Sequence, residues 1–307
     1  MNSDAVIRLI TELWRPAMYC FVLVDPLAVP DDDNHSMLTR LHELLGDHAI
    51  TRVRRADLPP EPALHPALIC LSNPGAPLNM PLLEITVGAA GRDIQRRKRQ
   101  ICGWLLSEAL PSQIADHLAA LCQLPTPSGG TVFCPVYEPL RLELLGASLE
   151  RPELGPWWPI EHWVFPSSGG KLASLKGQPH CHSALPAASL RVQEDVTLIE
   201  TLLAARRSLL ARSWFMDQLP LPAFAAVRAS NHIEDARRLG LTAEEDILVL
   251  ALHQLCLNAD VHTLRPVQHC IETAIRLKRP LASLLAQYNE AAWERMTSVL
   301  PSARYRP

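Results

Sequence analysis

A secretory leader, a membrane-spanning run, a paired-cysteine motif and a strong charge of one sign are all missing from this sequence. Each absence closes off a class of protein. The opening stretch, MNSDAVIRLITELWRP, lacks the basic start and long apolar core of an export signal. No uninterrupted apolar run approaches the roughly 18 residues needed to cross a bilayer, which argues against membrane insertion. The eight cysteines are scattered without a CxxC pair, and Cys20, Cys70 and Cys256 sit in apolar surroundings. Buried thiols of a cytoplasmic protein are therefore expected, rather than a disulfide framework. With 29 basic against 32 acidic residues the formal charge is only −3, so no global field favours nucleic acid or an anionic membrane.

What is present describes an ordinary globular chain. Hydrophobic residues make up 48% and charged residues 20%, the balance of a chain that folds rather than one that stays disordered. Its 307 residues suggest one large or two medium domains, able to bury roughly three quarters of the unfolded surface without a disulfide or metal staple. Proline is the outlier, at 27 residues against a usual share of about 5%. Many rigid, punctuated loops follow from that.

The first half alternates strand and helix signals. Phe21 to Val24 is a short apolar run stopped by Asp25-Pro26, read as a strand buried on both faces. Asp31 to Asn34 offers caps for a helix in which Met37, Leu38, Leu41, Leu44 and Leu45 recur and Gly46 ends the pattern. Ala67 to Leu71 is a second buried strand closed by Asn73-Pro74-Gly75. A helix is expected over Arg92 to Ile101, a strand at Trp104-Leu105-Leu106, and a helix capped by Ser112 carrying Ile114, Leu118, Leu121 and Cys122. Thr131 to Tyr137 and Ile160 to Phe165 supply two more strands. The pattern predicts a mixed α/β lobe over 1–166 built on an open sheet. A Ser-, Gly- and Pro-rich linker loop is expected over 167–190.

From 191 to 307 the period changes to that of helices, and an all-α lobe is expected. Val192, Val196, Ile199, Leu203 and Leu210 form one stripe. Phe224 to Leu239 continues helical to Gly240, and Thr242 to Glu245 reads as a capping box opening Ile247 to Leu257, apolar nearly all round. Pro266 starts another helix, and Leu281, Leu284, Leu285 and Tyr288 mark the last.

Chemical motifs are weak. Ser168-Gly169-Gly170-Lys171 lacks the first glycine and the Ser or Thr of a phosphate loop, having Phe165 and Leu172 there, and reads as flexible loop. His180-Cys181-His182 holds good zinc-ligand types, but no second CxxC or HxxxH completes a set, so no metal is assigned. No G-x-S-x-G elbow exists. Asp25, at a strand end, reads as a turn former beside Pro26. Glu194-Asp195 and Glu244-Glu245-Asp246 fall in helix first turns, where they complement the macrodipole. Arg92, Arg96 and Arg99 share a helical face with Arg97 and Lys98 between them, a solvated face or a grip for an acidic partner or nucleic acid. Trp157, Trp158 and Trp163, between Pro156 and Pro159, pack a core corner or form an exposed hot spot.

Tyr137-Glu138-Pro139 followed by Leu142, then Pro159-Ile160-Glu161-His162-Trp163, resembles the Tyr-Asp-Pro … Pro-Ile-x-x-Trp signature of the type VI secretion effector adaptors, also called Tap or TEC chaperones. Phe21 to Pro26, Pro66 to Leu71, Trp104-Leu105-Leu106 and Ile114 to Leu118 match further motifs of that family in the same order. The resemblance spans roughly Pro16 to Phe165 and extends more faintly to Ala236 to Thr242. Two positions depart from it: Glu138 stands in place of the usual Asp, and Pro135 in place of an Arg.

The resemblance implies a non-enzymatic adaptor, without cofactor or metal. Such a protein binds a secreted effector in the cytoplasm and helps load it onto the VgrG spike or a PAAR tip. The implied partners are proteins, with no nucleic acid. The motif positions carried over are Asp25, Pro26, Trp104, Tyr137, Glu138, Pro139, Pro159 and Trp163. Two other readings of the residues remain: an α/β enzyme of unknown reaction using Asp25 and His117 as acid and base, and a regulatory module that binds a partner through its helical bundle.

Overall fold

The computed structural model describes residues 1–28, 36–94, 96–126, 129–179, 185, 187–210 and 221–298. The chain divides into two compact units, Met1–Glu194 and Asp195–Pro307.

The first unit holds helices α1 (Ser3–Leu13), α2 (Met37–Leu45), α3 (Met80–Asp93), α4 (Pro111–Leu121), α5 (Pro139–Ala147) and α6 (Ala187–Glu194). Its strands are β1 (Tyr19–Val24), β2 (Ile50–Arg52), β3 (Ala67–Ser72), β4 (Ile101–Ser107), β5 (Gln123–Pro125), β6 (Thr131–Phe133), β7 (His162–Pro166) and β8 (Leu172–Lys176). Six of them form one sheet in the order β2-β3-β1-β4-β7-β8, and β5 and β6 pair as a separate hairpin.

Side chains alternate across a strand, so β1 feeds two cores. Cys20, Val22 and Val24 pack with Val6 and Ile10 of α1, Leu41 of α2, and Leu83 and Val87 of α3. Phe21 and Leu23 face the other way, toward Ile114 and Leu118 of α4 and Leu142 and Leu145 of α5. The result is the expected mixed α/β architecture, a sheet with helices on both faces.

Every adjacent strand pair is nonetheless antiparallel. β3 and β4 both run against β1 and hence parallel to each other. The helix joining them, α3, crosses over the strand between. Strand–helix alternation therefore coexists with antiparallel neighbours: β3 and β4, joined through α3, are not adjacent.

Several boundaries differ from the sequence expectations. The helix placed over Arg92 to Ile101 instead ends at Asp93. The Asp93 carboxylate accepts the Gln100 N–H at 3.1 Å, which turns the chain directly into β4. Arg96 to Arg99 thus lie on a loop and share no helical face with Arg92. The strand expected over Thr131 to Tyr137 is shorter, stopping at Phe133 and pairing only with β5. Ser112 is not the cap of α4, which begins at Pro111, with Leu110 as its N-cap. Ser36 caps α2, its Oγ accepting the Thr39 N–H at 3.1 Å, whereas the caps expected at Asp31 to Asn34 lie outside the described residues.

The 167–190 passage, expected as a linker loop, contains β8, the edge strand paired with β7, and the start of α6. The chain divides at Glu194/Asp195 instead.

The second unit contains α7 (Val196–Leu210), α8 (Ala225–Arg238), α9 (Glu244–Leu257), α10 (Arg265–Leu277), α11 (Leu281–Leu285) and α12 (Glu290–Thr297). No strand occurs among its described residues, as expected for the helical lobe. The single stripe drawn from Val192 to Leu210 is broken at Asp195, which separates α6 from α7. Glu194 is the last residue of α6 and so does not sit in a first turn. Asp195 instead binds the Arg237 guanidinium through both oxygens, at 2.6 and 2.7 Å, tying the start of α7 to the end of α8.

α9 packs against α7, α8 and α11, and no residue from Asp246 to Leu257 is exposed, which suits an all-round apolar helix. The capping box expected at Thr242 does not form. Ala243 is the N-cap of α9, without a side-chain bond. The preceding turn sets this register: Gly240 takes φ +93°, and Leu241 is buried with its N–H on the Ala236 carbonyl. Thr242 is left exposed.

Candidate functional site

Five of the motif positions, Asp25, Pro26, Tyr137, Glu138 and Pro139, lie where β1 ends and α5 begins. After β6 the chain folds through a turn in which the Glu138 N–H donates to the Pro135 carbonyl at 2.9 Å. Pro139, with φ preset for a first helical position, then opens α5. Glu138 occupies the N-cap but makes no cap bond. Its carboxylate pairs with Arg141 one turn on, at 3.3 Å. Both side chains are less than a fifth exposed.

Tyr137 is fully buried, and a buried hydroxyl needs a partner. Arg55 supplies it, donating from Nη1 to the Tyr137 Oη at 3.0 Å. Arg55 is itself fixed on three sides. It grips Asp57 through Nε and Nη2 at 3.1 and 2.7 Å, lies over the Phe133 ring at 4.8 Å, and its backbone N–H donates to His65 Nδ1 at 3.1 Å. Burial works against the Arg55 charge, but Asp57 and Tyr137 outweigh it and hold the guanidinium firmly protonated. The bond from Arg55 holds the Asp57 carboxyl below its ordinary range.

Asp25 sits beneath the same cluster, 2% exposed. Its Oδ1 accepts the Leu27 N–H at 2.9 Å, and its own N–H donates to the Gln100 carbonyl at 2.8 Å. Burial pushes the Asp25 carboxyl above the usual carboxylate range, opposed by the Leu27 bond and the charges of Arg55 and Lys98. Its bonds are those of a residue that shapes the turn into Pro26, which opens a 3-10 turn over Pro26–Ala28.

Neighbouring ionisable groups are held neutral. Burial drives the Tyr137 phenol well above its ordinary range, with Asp25 and Cys102 adding to the effect. Burial likewise raises Cys102, and takes Cys122 to about 12. Burial thus disfavours the thiolate, the reactive form of a cysteine, at both positions.

The remaining motif positions are structural anchors elsewhere in the sheet. Trp104 faces the opposite core, its indole N–H on Thr86 Oγ1 at 2.9 Å. Trp163 shares the Tyr137 core and pairs in register with Leu105. The Pro159 carbonyl accepts the Ser107 hydroxyl at 2.6 Å. Trp157 and Trp163 are fully buried, so these two pack the core corner and do not form an exposed hot spot. His117 lies half-buried on α4.

Ser168-Gly169-Gly170-Lys171 forms the β7–β8 turn, with the Gly170 N–H on the Ser167 carbonyl at 3.0 Å. The buried Glu143 carboxylate accepts the Ser168 N–H at 2.5 Å and its hydroxyl at 2.8 Å. A carboxylate in that position would repel a phosphate. His180, Cys181 and His182 lie outside the described residues. Among the described residues no three His, Cys, Asp or Glu side chains converge as metal ligands, and no helix is long and apolar enough to cross a membrane.

The concave surfaces among the described residues include one in each unit. In the first unit, about 230 Å³ opens between the β5–β6 hairpin and α6, lined by Leu124, Val132, Cys134, Arg141, Leu190 and Gln193. In the second, about 500 Å³ opens at the α8–α9 turn, lined by Leu241, Thr242, Glu245, Ala274, Ile275 and Arg279. Sequence reasoning missed Arg55, the residue that joins the cluster. An arginine two positions before an aspartate in a proline-rich passage was its only signal. No family model, curated protein or solved structure matches this chain.

Proposed function

We propose that this chain is a non-enzymatic adaptor that binds one type VI secretion effector in the cytoplasm and helps load it onto the VgrG spike or a PAAR tip. One observation supports the reading most directly. The residues that carry the family resemblance are bonded inward: Tyr137 to Arg55, Asp25 to the Leu27 and Gln100 backbone, Trp104 to Thr86 and Pro159 to Ser107. Side chains used this way hold a scaffold in shape, while the two concavities and the outer helix faces remain for cargo. Burial also keeps the nearest thiols and the Tyr137 phenol protonated, which favours binding over nucleophilic chemistry.

The test is genetic and biochemical together. Deleting the gene should abolish delivery of the single effector encoded beside it and leave secretion of other spike cargo intact. The purified chain should form a stable complex with that effector. Unchanged delivery on deletion would remove the proposal.

A further inference from the structure

One end of the sheet in the first unit separates its charges by depth. The loop from α3 into β4 carries Arg96, Arg97 and Lys98, all exposed, and the last turn of α3 adds exposed Arg92. The β7–β8 turn adds exposed Lys171. Arg99 locks these two segments together. Its guanidinium donates to the carbonyls of Pro166 and Ser167 at 2.8 and 2.9 Å, and to that of Ile94 at 3.1 Å. The Lys171 backbone is held in the same frame, its N–H on Ser167 Oγ at 3.1 Å.

Three carboxylates at this end lie inside, while Asp57, gripped by Arg55, is exposed. Asp25 is 2%, Asp93 6% and Glu143 3% exposed. Asp93 accepts the Gln100 N–H and pairs with Arg96 at 3.4 Å. Glu143 accepts from Ser168, and Asp25 from Leu27. Three further aspartates, Asp31, Asp32 and Asp33, follow β1 in the sequence, outside the described residues.

We infer that this basic end of the sheet, formed by Arg92, Arg96, Arg97, Lys98 and Lys171, is a docking surface for an acidic protein segment. Arginine forks match carboxylates in a planar, two-point geometry, and the Arg99 clamp holds the loops that present them, which lowers the ordering cost of binding. Nucleic acid fits less well. No aromatic residue is interleaved in the run from Arg96 to Arg99 to stack a base. A membrane surface fits less well too, since the run carries no apolar residue to insert beside its cations.

The inference goes beyond the adaptor reading and does not depend on it. Fluorescence anisotropy on the full chain, with Asp31 to Asp33 in place, tests it directly. The probes are a labelled 20-residue Glu/Asp-rich peptide, its Gln/Asn counterpart, a single-stranded oligonucleotide of equal charge, and vesicles containing phosphatidylserine. The acidic peptide should bind, the neutral peptide should not, and affinity should fall as salt rises. The R96E/R97E/K98E variant should weaken acidic-peptide binding by about tenfold or more while still melting cooperatively, with a modest loss of stability from the broken Arg96–Asp93 pair. R92E and K171E, on separate elements, should each weaken it by a smaller factor. Tighter binding of the oligonucleotide or the vesicles, or acidic-peptide binding unaffected by all these reversals, overturns the assignment. Failure of effector delivery to depend on the gene would remove the adaptor reading and leave this surface intact.

Discussion

Arg55 and Tyr137, far apart in sequence, meet at 3.0 Å and join the loop after β2 to the turn that opens α5. The pairing makes Tyr137 a buried anchor whose partner stands well upstream. Glu138, next in the chain, pairs with Arg141 at 3.3 Å, both side chains less than a fifth exposed.

The two ends of that bond should not be equivalent. Tyr137→Phe removes the hydroxyl and leaves Arg55 still gripping Asp57, a loss of about 1 kcal/mol. Arg55→Ala strands the buried hydroxyl, frees Asp57 and uncovers Phe133, a loss of about 2–4 kcal/mol. Urea denaturation of the two variants measures both. A Tyr137→Phe loss equal to or larger than that of Arg55→Ala would contradict the network described.

Gly103 and Gly91 should respond in opposite directions to alanine. At Gly103, φ is +150°, and an added Cβ would lie 2.7 Å from the Val164 carbonyl oxygen and 2.9 Å from Trp163 Nε1. Neither the backbone of β7 nor a fully buried tryptophan yields readily, so Gly103→Ala should cost about 3 kcal/mol or more. Gly91 lies in α3, and a Cβ there meets nothing within 4 Å. Gly91→Ala should stabilise by about 0.5–1 kcal/mol through helix propensity. Thermal melts of the pair read the contrast.

The stability of the second unit should fall in mild acid. Burial pushes His232 from 6.5 down to about 4; Asp235 and Asp260 oppose the shift, while Arg228 and His262 add to it. Because the folded-state value lies below the unfolded one, the unfolded chain binds the extra proton in that interval. The contribution is complete above pH 6.5 and is lost as pH drops toward 4, at most about 3 kcal/mol. Asp25 acts in the opposite sense. Its raised carboxyl destabilises the fold as pH climbs from the unfolded carboxylate value through its own. Denaturation midpoints at pH 7 and pH 4.5 for the parent and His232→Gln isolate the histidine. The variant should lose less stability on acidification than the parent.

Strands β1, β3, β4 and β7 and the division into an α/β part and a helical part are legible because they rest on local period and burial, whereas β2 and β5, three residues each, carry no such pattern. Phe21 to Val24 and Ala67 to Leu71 are apolar on both faces wherever they sit. Strand direction was not legible, since it depends on α3 crossing over β1, a choice that leaves no mark in either strand. β8 escaped notice for a related reason. An edge strand has one partner and one half-covered face, so Leu172 to Lys176 carries only a faint apolar pattern. Arg96 to Arg99 looked helical from spacing alone, and only the bonds of Asp93 to Gln100 and of Arg99 to three carbonyls make it a loop. The Arg55–Tyr137 bond is a tertiary contact between two loops, which periodicity does not encode.

Glu143 holds the β7–β8 turn from inside, and its removal should loosen that turn first. Its two oxygens accept the Ser168 N–H and hydroxyl at 2.5 and 2.8 Å, in a site that excludes water. Glu143→Ala removes this carboxylate from both buried donors, which costs about 1–3 kcal/mol. Glu143→Gln keeps one oxygen but sets an amide N–H₂ against the other donor, and should lie between the parent and the alanine variant. Hydrogen exchange resolves where the loss falls. The Ser168 and Gly170 amides should exchange faster in both variants, while those of β1, bonded on both sides within the sheet, should accelerate only by the smaller factor that the loss of global stability sets. Equal acceleration across the sheet would place Glu143 in the general core and not at the turn.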